Sequence, residues 1–136
     1  MNECVFCKIA KGEIPADKIY EDDNFFAFLD INPVNPGHVL VVPKNHYENI
    51  YSAPDEILCD IGSLVKKISI AVKQGVNADG INIIMNNESA AGQIVPHAHF
   101  HIIPRFTDDG YHHWRGKPYA NKEETSIMAE KLRNNF

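Results

Sequence analysis

Seven consecutive residues restrict this chain more than any others: His97-Ala98-His99-Phe100-His101-Ile102-Ile103 alternates polar and apolar side chains with a period of two. Such alternation marks a strand with unlike faces, and we expect that strand to run from Pro96 to Arg105. The three imidazoles then share one face, while Ala98, Phe100 and Ile102 point into the core. Burial fixes the register, because a slip by one residue would bury three histidines.

Same-face neighbours on a strand lie about 6.5–7 Å apart, so the outer two histidines sit roughly 13 Å apart at Cα, whereas a zinc–nitrogen bond is only about 2 Å. Three consecutive histidines therefore strain to share one ion. A pair helped from elsewhere does not, which keeps a metal-dependent hydrolase among the readings. The row fits a catalytic track better, with a central nucleophile whose neighbours handle charge and protons. Neutral imidazole is available near pH 7 and can carry a covalent intermediate. A phosphoryl centre suits it as a target, since positioning and charge stabilisation do most of the work there.

The rest of the chain says what carries this track. With 136 residues, 44% of them hydrophobic, residues 1–136 can form one core, and a single domain is expected. No basic start precedes an apolar signal segment, and no apolar run approaches the ~18 residues of a membrane span. The expectation is a cytoplasmic protein with no membrane partner. A net charge of −5 argues against a nucleic-acid polymer, though not against a small anion held by local donors. Three cysteines cannot make a full disulfide framework.

Val5 to Ala10 reads as a short helix closed by Gly12 and Pro15, and Lys18 to Glu21 begins a strand. Phe25 to Leu29 and Val39 to Val42 read as buried strands joined by a Pro- and Gly-rich connection over Asp30 to Gly37. Ile57, Ile61, Leu64, Val65, Ile68 and Val72 recur at helical spacing, predicting an amphipathic helix from Asp55 to about Gln74, capped by Ser52 or Asp55 with Pro54 near its first turn. Gly80 to Met85 predicts a strand, Asn86 to Val95 a loop and Lys122 to Arg133 a last helix. These elements favour an α+β fold, an antiparallel sheet of about five strands with one long and one or two shorter helices.

His97 to Ile103 matches the H-φ-H-φ-H-φ-φ signature of the histidine-triad (HIT) family, and the bacterial HIT-like branch is the part it resembles. Four further segments are similar to that family in the right order: Phe28 to Pro33, Gly37 to His46, the loop Asn86 to Pro96, and Ile102-Ile103-Pro104-Arg105. The similarity spans about residues 4–105, leaving 106–136 as a C-terminal extension. It implies a nucleotide hydrolase or transferase acting at the α-phosphorus of nucleoside phosphoramidates, nucleotidyl adducts or dinucleoside polyphosphates, with His99 as the nucleophile that forms a nucleotidyl-histidine intermediate. His97, His101 and His46 fall on flanking positions that orient the nucleophile or meet phosphate oxygens. Asn86, Gly92, Gln93, Ile94 and Val95 fall on the phosphate-binding part, and Asp30 on the acidic residue that binds ribose hydroxyls. Phe6, Ile9, Phe28 and Ile31 match the apolar walls around a purine base, so an AMP- or GMP-like nucleotide is the implied ligand. Ile94 departs from the pattern, because many members carry Ser or Thr there.

Cys4-x-x-Cys7 supplies two sulfur ligands, and zinc commonly completes such a site with two histidines. In some bacterial members and in the related uridylyltransferases the partners resemble His46 and His97, which implies a structural zinc at Cys4, Cys7, His46 and His97. Two reduced cysteines on a helix without metal are the alternative. The implied chemistry itself requires no cofactor. A nucleotide-binding regulatory module with weak catalysis competes with the enzyme reading. Members usually pair as two-fold dimers that extend the sheet, and a homodimer is expected.

Overall fold

The structure, a computed structural model, describes residues 3–136. Three helices, α1 (Val5–Ala10), α2 (Asp55–Gly75) and α3 (Lys122–Arg133), accompany five strands, β1 (Lys18–Glu21), β2 (Phe25–Leu29), β3 (Val39–Pro43), β4 (Gly80–Ile84) and β5 (Phe100–Arg105). The strands form a five-stranded sheet in the order β1-β2-β3-β5-β4, and each neighbouring pair is antiparallel. This is the α+β architecture expected.

The continuous apolar runs of β2 and β3 follow from burial on both faces. Phe25 and Ala27 of β2, Val39 and Val41 of β3 and Ile102 of β5 meet the stripe Ile61, Leu64, Val65, Ile68 and Val72 of α2. The opposite parity, Phe26, Phe28, Leu40 and Val42, meets Phe6 and Ile9 of α1. Burying each of these large side chains contributes about 1.5–3 kcal/mol. The sheet is thus sandwiched between a long helix and a short one. The cap of α2 differs from expectation: Pro54 occupies the N-cap without a side-chain bond, and Asp55 and Glu56 place negative charge at the positive end of the helix. The predicted loop after β4 contains a short 3₁₀ turn, Ser89–Ala91.

The last strand corrects the sequence expectation. It starts at Phe100, not Pro96, and His97 lies in a bend. The backbone explains the difference: Pro96 has no N–H, the His97 N–H donates to the Val95 carbonyl (2.8 Å), and the Ala98 N–H donates to the Tyr47 carbonyl (2.7 Å). These donors are committed to loops and are not free for a ladder. The inward alternation survives, with Ala98 and Ile102 buried and Phe100 packed on the core. The histidine side is also covered, however: His97 and His99 are 0% and 6% exposed.

Two backbone features position the site. Gly37 enters β3 at φ +98°, and a Cβ there would stand 2.9 Å from Val76 Cγ1, so only glycine fits. After β5, the Arg105 guanidinium grips Asp109 through two donors (2.8 and 3.0 Å) and also donates to Asn82. This pairing holds the Asp109 carboxyl far below the usual carboxylate range. The segment beyond leads to α3, which buries no residue and exposes Ile127 and Leu132. No helix of the described residues is long and apolar enough to cross a membrane.

Candidate active site

Strand register puts the chemistry on one side of the sheet. Leu40 pairs with His101, so both belong to the face covered by α1. There Phe6 meets the His99 ring edge-on at 5.0 Å and the His97 ring at 5.8 Å, while the His99 and His101 rings lie 4.9 Å apart. A pocket of about 710 Å³ opens over this face and includes His99, His101, Asp30, Asn86 and the loop residues Gly92, Ile94 and Val95. Phe6, Ile9 and Phe28 are its buried walls, and Ile31, 90% exposed, stands at its rim. A volume of that order suits a mononucleotide-sized ligand.

Hydrogen bonds fix the imidazole tautomers. His99 Nδ1 lies 2.7 Å from the His97 carbonyl oxygen, which can only accept, so Nδ1 carries the proton and Nε2 the lone pair. Burial, the largest influence, pushes the His99 pKa below its ordinary value, which favours the neutral ring. A second chain of bonds sets His101. The Val34 N–H donates to His38 Nδ1 (3.1 Å), so His38 Nε2 carries the proton. That N–H faces His101 Nδ1 at 2.9 Å and Asp30 Oδ2 at 3.6 Å. His101 Nδ1 therefore accepts and its Nε2 holds a proton. Burial, then the neighbouring His99 and His38, push the His101 pKa down to about 4, and burial also lowers that of His38. Asp30, His38 and His101 are close enough to share an ion, but His38 Nε2 is already occupied by its proton in this network.

His38 was absent from the sequence assignment, and the signal for it was parity: it lies two residues before Leu40, just ahead of β3, and its ring reaches His101. The structure separates the other expected residues into two groups. His97 and His46 do not line the pocket; they join Cys4 and Cys7 in a cluster whose ligand atoms all lie within 4.8 Å of one another. His97 Nε2 donates to the Pro43 carbonyl (2.8 Å), leaving the Nδ1 lone pair directed at Cys4 Sγ (3.3 Å), Cys7 Sγ (3.5 Å) and His46 Nδ1 (3.1 Å). Cys7 Sγ lies 3.4 Å from His46 Nδ1. A tetrahedral zinc with bonds of about 2.0–2.3 Å has ligand–ligand edges of about 3.3–3.7 Å, so this donor set fits the metal in both chemistry and spacing. A carbonyl orienting the ligating imidazole is the usual supporting contact.

Gln93 also lies outside the pocket lining. Its side chain accepts from the Glu88 N–H (2.7 Å) and donates to the Glu48 carbonyl (2.6 Å), bracing the loop. Gly92 adopts φ +91°, which turns the chain back toward Asn86. Among the described residues, the N–H groups of Ile94 and Val95 find no acceptor in the chain, so two backbone donors are available beside the histidines. His112, His113 and Trp114 line a separate, smaller hollow with Asn82 and Arg105.

The HIT domain model matches residues 11–108, and the chain belongs to the HIT family. A HIT-like protein of Methanocaldococcus jannaschii is 55% identical over 107 residues, covering 79% of this chain and 82% of that one. An adenosine 5′-monophosphoramidase of Candida albicans is 43% identical, covering 75% and 70%, and an adenylylsulfatase of Arabidopsis thaliana is 45% identical, covering 76% and 53%. Among solved structures, a Streptococcus mutans protein superposes with a TM-score of 0.94 at 39% identity, covering 99% of this chain and 86% of that one. A zinc-bound histidine triad family protein of Mycobacterium smegmatis gives 0.78 at 36% identity, covering 98% of each chain.

Proposed function

We propose that this chain is a nucleotide hydrolase or transferase in which His99 Nε2 attacks the α-phosphorus of a purine nucleotide bearing a displaceable group. The observation that carries the reading is the 2.7 Å bond from His99 Nδ1 to the His97 carbonyl, because it leaves the lone pair on the other nitrogen of a ring that lines the pocket. The names of the fungal and plant relatives support an adenosine substrate. The base packs among Phe6, Ile9, Phe28 and Ile31, and the Asp30 carboxylate accepts from ribose hydroxyls. Asn86, the Ile94 and Val95 amides and His101 Nε2–H meet the phosphoryl oxygens as charge builds on them. The nitrogen–phosphorus bond forms as the leaving group departs with its electron pair. Water or another acceptor then takes the nucleotide from His99. His97 and Gln93 act by position, one through its carbonyl and the other through the loop.

Cys4, Cys7, His46 and His97 would hold zinc, and the metal would serve as a structural clip tying α1 to the sheet under the pocket. We further read residues 1–136 as one HIT domain with a C-terminal extension from 106, active in the cytoplasm as a homodimer that extends the sheet. The open edge of β4 and its half-exposed Ile83 support that last point.

The decisive experiment is a rapid acid quench during turnover, with mass analysis of the peptide that contains His99. A nucleotidyl adduct on wild type and none on His99→Ala is the expected result. Full turnover in His99→Ala refutes the nucleophile. Nucleotide binding without cleavage across phosphoramidates, acyl nucleotides and dinucleoside polyphosphates would favour a regulatory module.

A further inference from the structure

Two of the four groups in the cysteine and histidine cluster are also placed to bond to each other. Cys4 is the N-cap of α1 and Cys7 lies in its first turn, so the Cys7 N–H reaches Cys4 Sγ at 3.5 Å. Both sulfurs flank His97 Nδ1, at 3.3 and 3.5 Å, and they lie within 4.8 Å of each other. A disulfide needs about 2.05 Å, a closure that Cys-x-x-Cys redox motifs achieve by side-chain rotation. Cys59 is exposed on α2, and α2 covers the opposite side of the sheet from α1, so it does not compete within the chain.

Oxidation needs a thiolate that solvent reaches and a second sulfur to resolve it. Sulfur that ligates a metal is a thiolate. Cys4 is half-buried and His46 exposed, so the cluster opens to solvent on that side, with Cys7 buried behind it. What rides on the pair is a wall of the pocket. Val5 and Phe6 lie between the two cysteines and Ile9 two residues beyond, and all three line the cavity. A helix of six residues gains little from its own hydrogen bonds. It keeps its place by the packing of Phe6 and Ile9 and by the tie of Cys4 and Cys7 to His46 and His97.

We propose that Cys4 and Cys7 are a reversible redox site: hydrogen peroxide converts them to a disulfide, the metal is released, and the nucleotide pocket loses affinity. The inference rests on the readings of the cluster as a zinc clip and of the cavity as a nucleotide pocket. Cys4 Sγ attacks one peroxide oxygen, the oxygen–oxygen bond breaks, and hydroxide leaves with the electron pair, giving a sulfenic acid. Cys7 Sγ attacks that sulfur; the sulfur–sulfur bond forms, the sulfur–oxygen bond breaks and a second hydroxide leaves. Two solvent protons convert the hydroxides to water. Each sulfur has given up one electron, and the peroxide has gained two. Disulfide sulfurs lack the charge that ligates zinc, and two imidazoles alone hold it weakly. Helix α1 then keeps its apolar packing but not its tie to His46 and His97. A dithiol reverses the step by exchange, and a reducing compartment keeps the pair in its metal-binding form until peroxide rises.

The test treats the full chain as zinc-loaded Cys59→Ser, which removes the third thiol, with hydrogen peroxide and then with dithiothreitol and zinc. A chromogenic chelator follows zinc release, peptide mass maps the crosslink, and calorimetry measures AMP affinity. Peroxide should join Cys4 to Cys7, release about one zinc per chain and raise the Kd for AMP about tenfold, and the dithiol with zinc should restore both. Damage to methionine is separated by this recovery, because sulfoxides need an enzyme to reverse them. The proposal is overturned if no Cys4–Cys7 crosslink forms, if the crosslinked chain keeps its zinc, or if the Kd changes less than twofold. The untreated protein separates the failures: absence of zinc before peroxide overturns the clip, absence of AMP binding overturns the nucleotide pocket, and either takes the redox site with it.

Discussion

Single side chains carry the chemistry through the protons they hold. His38 neither lines the pocket nor reaches its mouth, yet its N–H sets the tautomer of His101. Replacing it by Phe keeps an aromatic ring and removes the donor, and kcat should fall about 10²-fold with little change in KM, as measured by steady-state kinetics. His99→Ala should cost at least about 10³-fold in kcat while nucleotide affinity by calorimetry stays within a few-fold. Acid should also weaken the fold. The folded protein holds His101 at a pKa of about 4 and His38 below its ordinary value, whereas both titrate near 6.5 when unfolded. As the pH falls from about 6.5 toward 4, the unfolded chain therefore binds protons that the native state refuses, and stability present above 6.5 is lost. Thermal melts should show a lower Tm at pH 5 than at pH 7; an unchanged Tm would mean that these rings are not held neutral.

Elements matter here by what they cover. The six-residue α1 gains little from its own hydrogen bonds, so its packing through Phe6 and Ile9 and its link through Cys4 and Cys7 hold it in place. Phe6→Ala should lower stability by about 3–5 kcal/mol in denaturant titration and weaken nucleotide binding together, because one ring serves core and pocket. Gly37→Ala meets both a positive φ and a 2.9 Å contact with Val76, and it should cost about 1–3 kcal/mol. Strand limits were read well where apolar runs were bounded by turn residues, as at Phe25–Leu29, which matched to the residue. The limit failed at Pro96–His99, because the alternation continues there while the backbone hydrogen bonds go to Val95 and Tyr47. Side-chain pattern reports faces; it does not report which donors a distant loop will claim.

For the molecule as a whole, the clip of Cys4, Cys7, His46 and His97 joins segments up to 93 residues apart. If zinc fills it, metal analysis finds about one zinc per wild-type chain and much less in Cys4→Ser, and chelation lowers Tm sharply in wild type only. About zero zinc in fresh wild-type protein would sink the metal reading. The sequence by itself determined the class of fold, the long amphipathic helix and the identity of the candidate nucleophile, because these follow from periodicity and motif spacing along one stretch of chain. The sequence left His46 and His97 with two roles, beside the nucleophile and with the cysteines; only the tertiary structure turns them to the cysteines and out of the pocket that His99 and His101 line, and brings His38 to His101. The reason is physical: alternation puts residues on a face, but which neighbour an imidazole nitrogen bonds depends on strand pairing and on a helix arriving from the far end of the chain.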